Sequence, residues 1–321
     1  METMNAAVVT AYGRPPRCVR WDVPVAQSPQ EVLVDVLAVG LHPRTRSGAA
    51  GEHYTSTGRL PLIPGIDGVG RLPDGRLRYF VADDEAGTMA QKVVVDLRRS
   101  VELPPGVDPI AVAAAMNPAM SSWVALRRRV VLQPGQSVLV LGATGNAGAM
   151  AVRVAKLLGA GRVVGAGRDA DRLAALGSVG ADAVVALTDD ADATASALAD
   201  AAADVDLVLD YLWGEPAEHA IVSLLTRRTD RGQELNWIQI GSVAGPTLAL
   251  PSVALRSANF RLQGSGKGSV TPRGYLAELP ALVQEIHAGR LAVATRTVPL
   301  SEVEQVWTEP DTPGVRTVIV P

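Results

Sequence analysis

Residues 137–159 constrain the possible folds of this chain most tightly. The continuous apolar run Ser137-Val-Leu-Val-Leu141 passes into Gly142-Ala-Thr-Gly-Asn-Ala-Gly148, and Ala147 to Leu158 then carries apolar residues at helical spacing as far as Gly159. An uninterrupted apolar strand is what a parallel sheet covered on both faces requires. A strand that turns through glycines into a helix also gathers free backbone N–H groups and the positive end of the helix dipole at one point, which suits an anion. Against the dinucleotide-binding pattern G-x-G-x-x-G, Gly145 and Gly148 fall on the second and third glycines, and Ala143 stands in place of the first. Gly145 then lets the backbone approach a pyrophosphate, and Gly148 lets the helix pack closely on the strand. Ala143, Thr144, Asn146 and Ala147 complete the candidate cofactor loop. The alternative is a glycine-rich turn with no ligand.

The segments that follow repeat the alternation. Strands are expected at 162–166, 183–187, 206–210, 237–240 and 260–262, with helices between them, the clearest at Ala191 to Ala203 and Pro216 to Thr226. Strand–helix alternation over ~140 residues predicts an α/β, doubly wound parallel sheet. The first hundred residues differ. Glu31 to Val39 and Lys92 to Asp96 read as strands, and turn signals recur at Pro15-Pro16, Pro64-Gly65, Pro73-Asp74-Gly75 and Pro104-Pro105-Gly106, so this part reads as a β-rich unit. Ile110 to Met116 and Ser121 to Arg129 read as two helices. Tyr275 to Ala288 reads as an amphipathic helix, followed by Thr295 to Leu300, a short helix near Val303 and Arg316 to Val320, strands that do not continue the alternation.

Composition removes several classes. A net charge of −3 and 4% aromatic residues give no basic or base-stacking surface for nucleic acid. The single cysteine, Cys18, excludes an intrachain disulfide and a thiolate-rich zinc site. With no signal-peptide pattern and no apolar run of about 20 residues, the expectation is a cytoplasmic protein with no membrane partner and a small-molecule substrate.

The next question is which dinucleotide. An NAD site places Asp or Glu about 20 residues beyond the loop, at the end of the second strand. Here that position is Gly167, followed by Arg168, with Arg172 four residues on. No carboxylate repels a 2′-phosphate there and a guanidinium is placed to bind one, so NADPH is the expected cofactor. The alternative leaves both arginines solvated and assigns the ribose to Asp169 or Asp171.

These segments resemble a family. Pro134 to Gly148, the strand ending at Gly167 and Gly180-Ala-Asp-Ala-Val-Val185 are similar to the cofactor domain of the medium-chain dehydrogenases/reductases. Val39-Gly-Leu-His-Pro43 resembles a stretch of the quinone oxidoreductases in that superfamily, Ile63 to Gly70 resembles its Pro-Gly-His-Glu-Gly-x-Gly motif, and Leu255 to Ser265 resembles its late strand. The resemblance implies a GroES-like catalytic domain from residues 1–118 and 264–321, a Rossmann domain from 119–263, and a homodimer if the late strand lies at an exposed sheet edge. Zinc-dependent relatives carry Cys near position 42, His near 66 and a further ligand at the start of the second domain. This chain has His42, Ile66 and the Asn117 to Ser121 region there, so no metal is expected. The stretch Gly70 to Gln91 is shorter than in most relatives, which implies a reshaped substrate cleft.

By the same resemblance His42 and Tyr54 are the candidate catalytic donors, and Ser121 borders the nicotinamide side. Tyr211, Gly241 and Ser242 stand at the carboxyl ends of strands, where ligands bind in such sheets. A loop histidine with local partners, an exposed tyrosine and a helix-capping serine are the plain alternatives. The expected activity is zinc-independent hydride transfer from NADPH to a quinone or α,β-unsaturated carbonyl. A specialised ketone, aldehyde or imine as substrate, or NADPH binding with little catalysis, are the competing readings.

Overall fold

The computed structural model describes residues 2–82, 87–312 and 314–321. In chain order its elements are β1 (Thr3–Val8), β2 (Arg17–Asp22), β3 (Glu31–Leu41), α1 (Pro43–Ala49), β4 (Asp67–Arg71), β5 (Leu77–Val81), β6 (Lys92–Asp96), β7 (Ser100–Glu102) and α2 (Pro109–Val124). There follow β8 (Ser137–Leu141), α3 (Asn146–Leu157), β9 (Arg162–Gly167), α4 (Ala170–Ala175), β10 (Ala183–Ala186), α5 (Ala191–Ala202), β11 (Leu207–Asp210), α6 (Gly214–Arg227), β12 (Leu235–Gln239) and β13 (Phe260–Gly264). The chain ends with α7 (Pro272–His287), β14 (Ala294–Pro299), α8 (Val303–Thr308) and β15 (Val315–Val320). Two compact units result, one of residues 1–117 and 276–321, the other of residues 118–275. The second unit runs past residue 263 because Arg129 donates to Gly264 O at 2.8 Å and to Ser269 O at 2.9 Å, holding the segment after β13.

The second unit is a six-stranded parallel sheet in the order β10-β9-β8-β11-β12-β13. The order reverses beside β8, and the crevice at such a reversal is where doubly wound sheets bind ligands. The apolar runs explain the layering. Leu139, Leu141, Val164, Val208 and Trp237 are buried in one core with Ala217, Ile221 and Leu224 of α6.

In the first unit a seven-stranded sheet runs β14-β15-β3-β4-β5-β7, with β6 also paired to β3. The terminal strand β15 lies antiparallel to β3, Ile319 opposite Val39, so both ends of the chain build one sheet. Of the shortened stretch Gly70 to Gln91, residues 83–86 lie outside the described residues.

Two expectations are corrected. Residues 109–129 form one helical run rather than two helices, with Pro118 inside α2 and a last turn of wider π geometry at Ala125–Arg129. Burial of Val112 through Met116 and of Trp123 through Leu126 holds the helix together across the proline. This 21-residue run has the length and composition of a membrane span, contrary to the expectation that none was present, and 67% of its apolar window is buried inside the protein. Dividing it at Asn117-Pro118 hides that length.

Candidate functional site

The loop after β8 shows which glycines are structurally demanded. Gly142, not Ala143, takes the left-handed conformation at φ 84°, so the tight turn falls one residue earlier than the motif suggests. Ala143 is fully buried, and its methyl lies 3.2 Å from where a β-carbon on Gly165 would stand, so it packs onto β9. Gly148 is required by packing. A β-carbon there runs into Gly142 O and comes 2.7 Å from Ala143 Cα. Gly145 differs, because a β-carbon on it meets only Gly142 O, at 3.3 Å. The protein leaves that space free, as a backbone that a phosphate approaches needs. Gly145 caps α3, and Asn146 and Ala147 form its first turn.

At the end of β9, Gly167 is buried and faces Thr144. A β-carbon on Gly167 stands 2.5 Å from Thr144 Cγ2 and 2.6 Å from Oγ1. Arg168 is exposed, and its guanidinium has no partner among the described residues. Arg172 is half-buried and donates from Nη2 to Asn146 Oδ1 at 3.2 Å, which ties the second cation to the start of α3. Asp169 caps α4 by accepting from Arg172 N at 3.0 Å, so one oxygen of that candidate ribose ligand is already in use.

Ser121 and Tyr211 lie 90 residues apart in sequence and meet, oxygen to oxygen, at 2.9 Å. Ser121 donates its hydroxyl proton to Pro118 O at 3.0 Å, so the tyrosine donates to the serine. Burial pushes the Tyr211 phenol up to about 12, against the opposing effect of its hydrogen bonds to Ser121 and Ser122. It is a neutral donor held in place.

Asp210, a residue absent from the sequence expectations, holds this turn. It is fully buried, and Oδ1 accepts from Leu212 N at 2.8 Å and Trp213 N at 2.9 Å, while Oδ2 accepts from Trp237 Nε1 at 3.0 Å. Burial raises its carboxyl above the ordinary range although all three bonds favour the anion. Trp213 sits at φ 54°, the one non-glycine residue at positive φ among those described, and the Asp210 bonds hold that strained conformation. Gly241 packs against the same turn, 2.8 Å separating a β-carbon on it from Tyr211 O, and Ser242 beside it is exposed.

In the first unit His42 is 1% exposed, and both ring nitrogens are engaged inside the protein. Nδ1 accepts from Thr45 N at 3.3 Å, capping α1, so Nε2 carries the proton and donates to Asp67 Oδ1 at 3.3 Å. The other Asp67 oxygen accepts from Tyr79 OH at 2.7 Å, and Thr88 donates to Asp67 O at 2.8 Å. Burial first, then the Asp67 charge, pushes the Tyr79 phenol well above its usual range. The geometry therefore places His42 as a buried cap rather than a free donor. Tyr54 is 71% exposed, on the loop after α1, with its ring against His53 at 4.3 Å between centroids. No group of three or more His, Cys, Asp or Glu side chains able to hold a metal stands together among the described residues.

No family model matches the chain. A probable NADPH-dependent quinone reductase of Emericella nidulans is 33% identical to it, over 99% of this chain and 100% of the relative. The chain belongs to the quinone oxidoreductases of the medium-chain dehydrogenase/reductase superfamily. Two solved structures extend the likeness. A probable oxidoreductase from Mycobacterium abscessus superposes with a TM-score of 0.80 at 26% identity, over 100% of this chain and 99% of that one. A quinone oxidoreductase from Thermus thermophilus, also solved with NADPH, gives a TM-score of 0.77 at 26% identity, over 99% and 100%.

As a quinone oxidoreductase the chain has a GroES-like β-rich part and a Rossmann sheet. Gly142, Asp67, Tyr79 and Asp210 are the residues that reading along the sequence misses. Gly142 had a signal, since it is the glycine directly after the strand. Each of the three side chains has a partner 12 or more residues away that the sequence does not show.

Proposed function

We propose that this chain transfers hydride from NADPH to a quinone or an α,β-unsaturated carbonyl, without a metal ion. The observation that carries the reading is the end of β9, where Gly167 has no room for a ribose-binding carboxylate and Arg168 follows with an unengaged guanidinium. The residues fit the cofactor. Gly145 leaves the helix start accessible to a pyrophosphate, and Arg168 with Arg172 supplies positive charge for a 2′-phosphate. Ser121, Tyr211, Gly241 and Ser242 line the carboxyl edge of the sheet, where the nicotinamide half belongs. When bound, NADPH supplies the hydride.

The chain then has to orient the acceptor and stabilise the negative charge that develops on its oxygen. His42 is committed to Thr45 and Asp67, so Tyr54 or water is the source of the proton for that oxygen. The zinc-ligand places hold His42, Ile66 and the Asn117 to Ser121 region, which supports the metal-free route, while the shortage of committed acids favours a second reading, NADPH binding with little catalysis. β13 lies at the edge of the parallel sheet, and we place a homodimer contact there, in a cytoplasmic protein.

The test is a titration of purified protein with NADPH and NADH, with an Arg168→Ala variant alongside, followed by cofactor oxidation with a quinone and an enone. Preference for NADPH that weakens about ten- to a hundredfold in the variant, with turnover, is the expected result. Tight binding without turnover selects the second reading. Equal or better NADH binding refutes the cofactor assignment.

A further inference from the structure

At position 167 the sequence shows only that glycine stands where an acid would bind the ribose. The structure adds a reason in a neighbour. Thr144 occupies the space into which any side chain at 167 would grow, with Cγ2 at 2.5 Å, Oγ1 at 2.6 Å and Cβ at 3.0 Å from the β-carbon position. Rotating the threonine does not open the site. Both heavy substituents on its Cβ face Gly167, and a turn of about 120° to the next staggered rotamer replaces one of them with hydrogen while the other stays. A β-branched residue therefore keeps the place closed in every rotamer. The other residues of the loop do not act this way. Ala143 points into the core, and Gly145 and Gly148 have no side chain.

We propose that Thr144 is a specificity-determining residue for the dinucleotide. It excludes a carboxylate from the end of β9 and so leaves the 2′-position to Arg168 and Arg172. This inference rests on the NADPH reading above. It assigns the discrimination to a pair, Thr144 with Gly167, in which the loop residue is the gate and the strand residue only conforms to it. The loop that receives the pyrophosphate thereby also decides whether a charge-repelling acid can stand at the next subsite, two decisions made by one turn of chain.

The experiment is a double-mutant cycle of wild type, Gly167→Asp, Thr144→Gly and the two together, each titrated with NADPH and NADH and followed by thermal unfolding. Gly167→Asp alone is expected to weaken both dinucleotides and lower the unfolding midpoint, because the new side chain displaces the loop. The double variant is expected to recover the midpoint and to bind NADH about ten- to a hundredfold better than Gly167→Asp does, as a charge-assisted bond to the ribose hydroxyls would give. Equal NADH affinity in Gly167→Asp and the double variant overturns the proposal. So does a folded double variant that gains no NADH binding.

If Gly167→Asp does not fold, the pair Gly167→Ala and Gly167→Ala/Thr144→Gly reads the same contact through unfolding midpoints. There, recovery in the double supports the gate and additive losses refute it. Wild type preferring NADH would instead bring down the underlying reading, an outcome visible before any variant is made.

Discussion

Removing the Asp210 carboxylate should loosen the turn that carries Tyr211, by an amount that depends on which atoms replace it. In Asp210→Ala three donors lose their acceptor. The Trp237 indole is fully buried and has no route to water. An unsatisfied buried donor costs about 1–3 kcal/mol. The amides of Leu212 and Trp213 are half-buried, and losing their bonds costs about 0.5–1.5 kcal/mol each. Relief of the carboxylate's desolvation offsets part of this, leaving a loss of about 2–5 kcal/mol. At about 2–4 °C per kcal/mol for units of this size, the unfolding midpoint of the parallel-sheet unit should fall by roughly 4–20 °C. Asp210→Asn keeps an oxygen for the two amides and turns a donor toward the indole, so its loss should be about 1–2 kcal/mol.

The two variants also separate in pH. Burial raises the Asp210 carboxyl in the folded state, so between the ordinary carboxylate value and the raised one the folded form holds a proton that the unfolded form has released. That contribution is complete below the unfolded value and is lost as pH rises through the folded one. Subtracting the Asp210→Asn profile from the wild-type profile should therefore leave a curve that falls with rising pH across that window. The measurement is the unfolding midpoint of all three proteins over a pH series. Equal losses in the two variants, or a difference curve that is flat or rises, would refute the account of Asp210 as a buried carboxylate holding the turn.

Gly148→Ala should destabilise the parallel-sheet unit by about 1–3 kcal/mol and abolish dinucleotide binding, because the added methyl meets Gly142 O and Ala143; a thermal shift with an NADPH titration reads both. Tyr54→Phe should lower kcat by about a hundredfold or more with little change in KM if its hydroxyl protonates the product, and steady-state assays with an enone decide this. His42→Ala should cost about 1–3 kcal/mol, since it uncaps α1 and leaves Asp67 with Tyr79 as its remaining side-chain partner; urea unfolding checks it.

The parallel sheet was legible in the sequence because its information is local. A strand covered on both faces is a run of apolar residues, and the helices between such strands carry their own period, so the segments at 137–141, 162–166 and 206–210 declared themselves. The β-rich part was less so. β4 reads Asp-Gly-Val-Gly-Arg, a poor strand by propensity. It is a strand because Phe80 and Val34 of neighbouring strands lie across Gly68 and Gly70, where side chains would collide. Pro118 likewise reads as a break, yet buried packing on either side keeps one helix running through it.

At the candidate site the same division holds. The glycine loop and the lack of an acid at 167 are properties of single positions, visible in the chain by itself. That Thr144 occupies the missing acid's space, that Ser121 meets Tyr211, and that His42 is spent on Thr45 and Asp67 were decided by the tertiary structure. Composition and periodicity record which face a residue turns to the core. Which distant group waits on the other side depends on the register of packed strands and helices, and that register exists only once the chain has closed on itself.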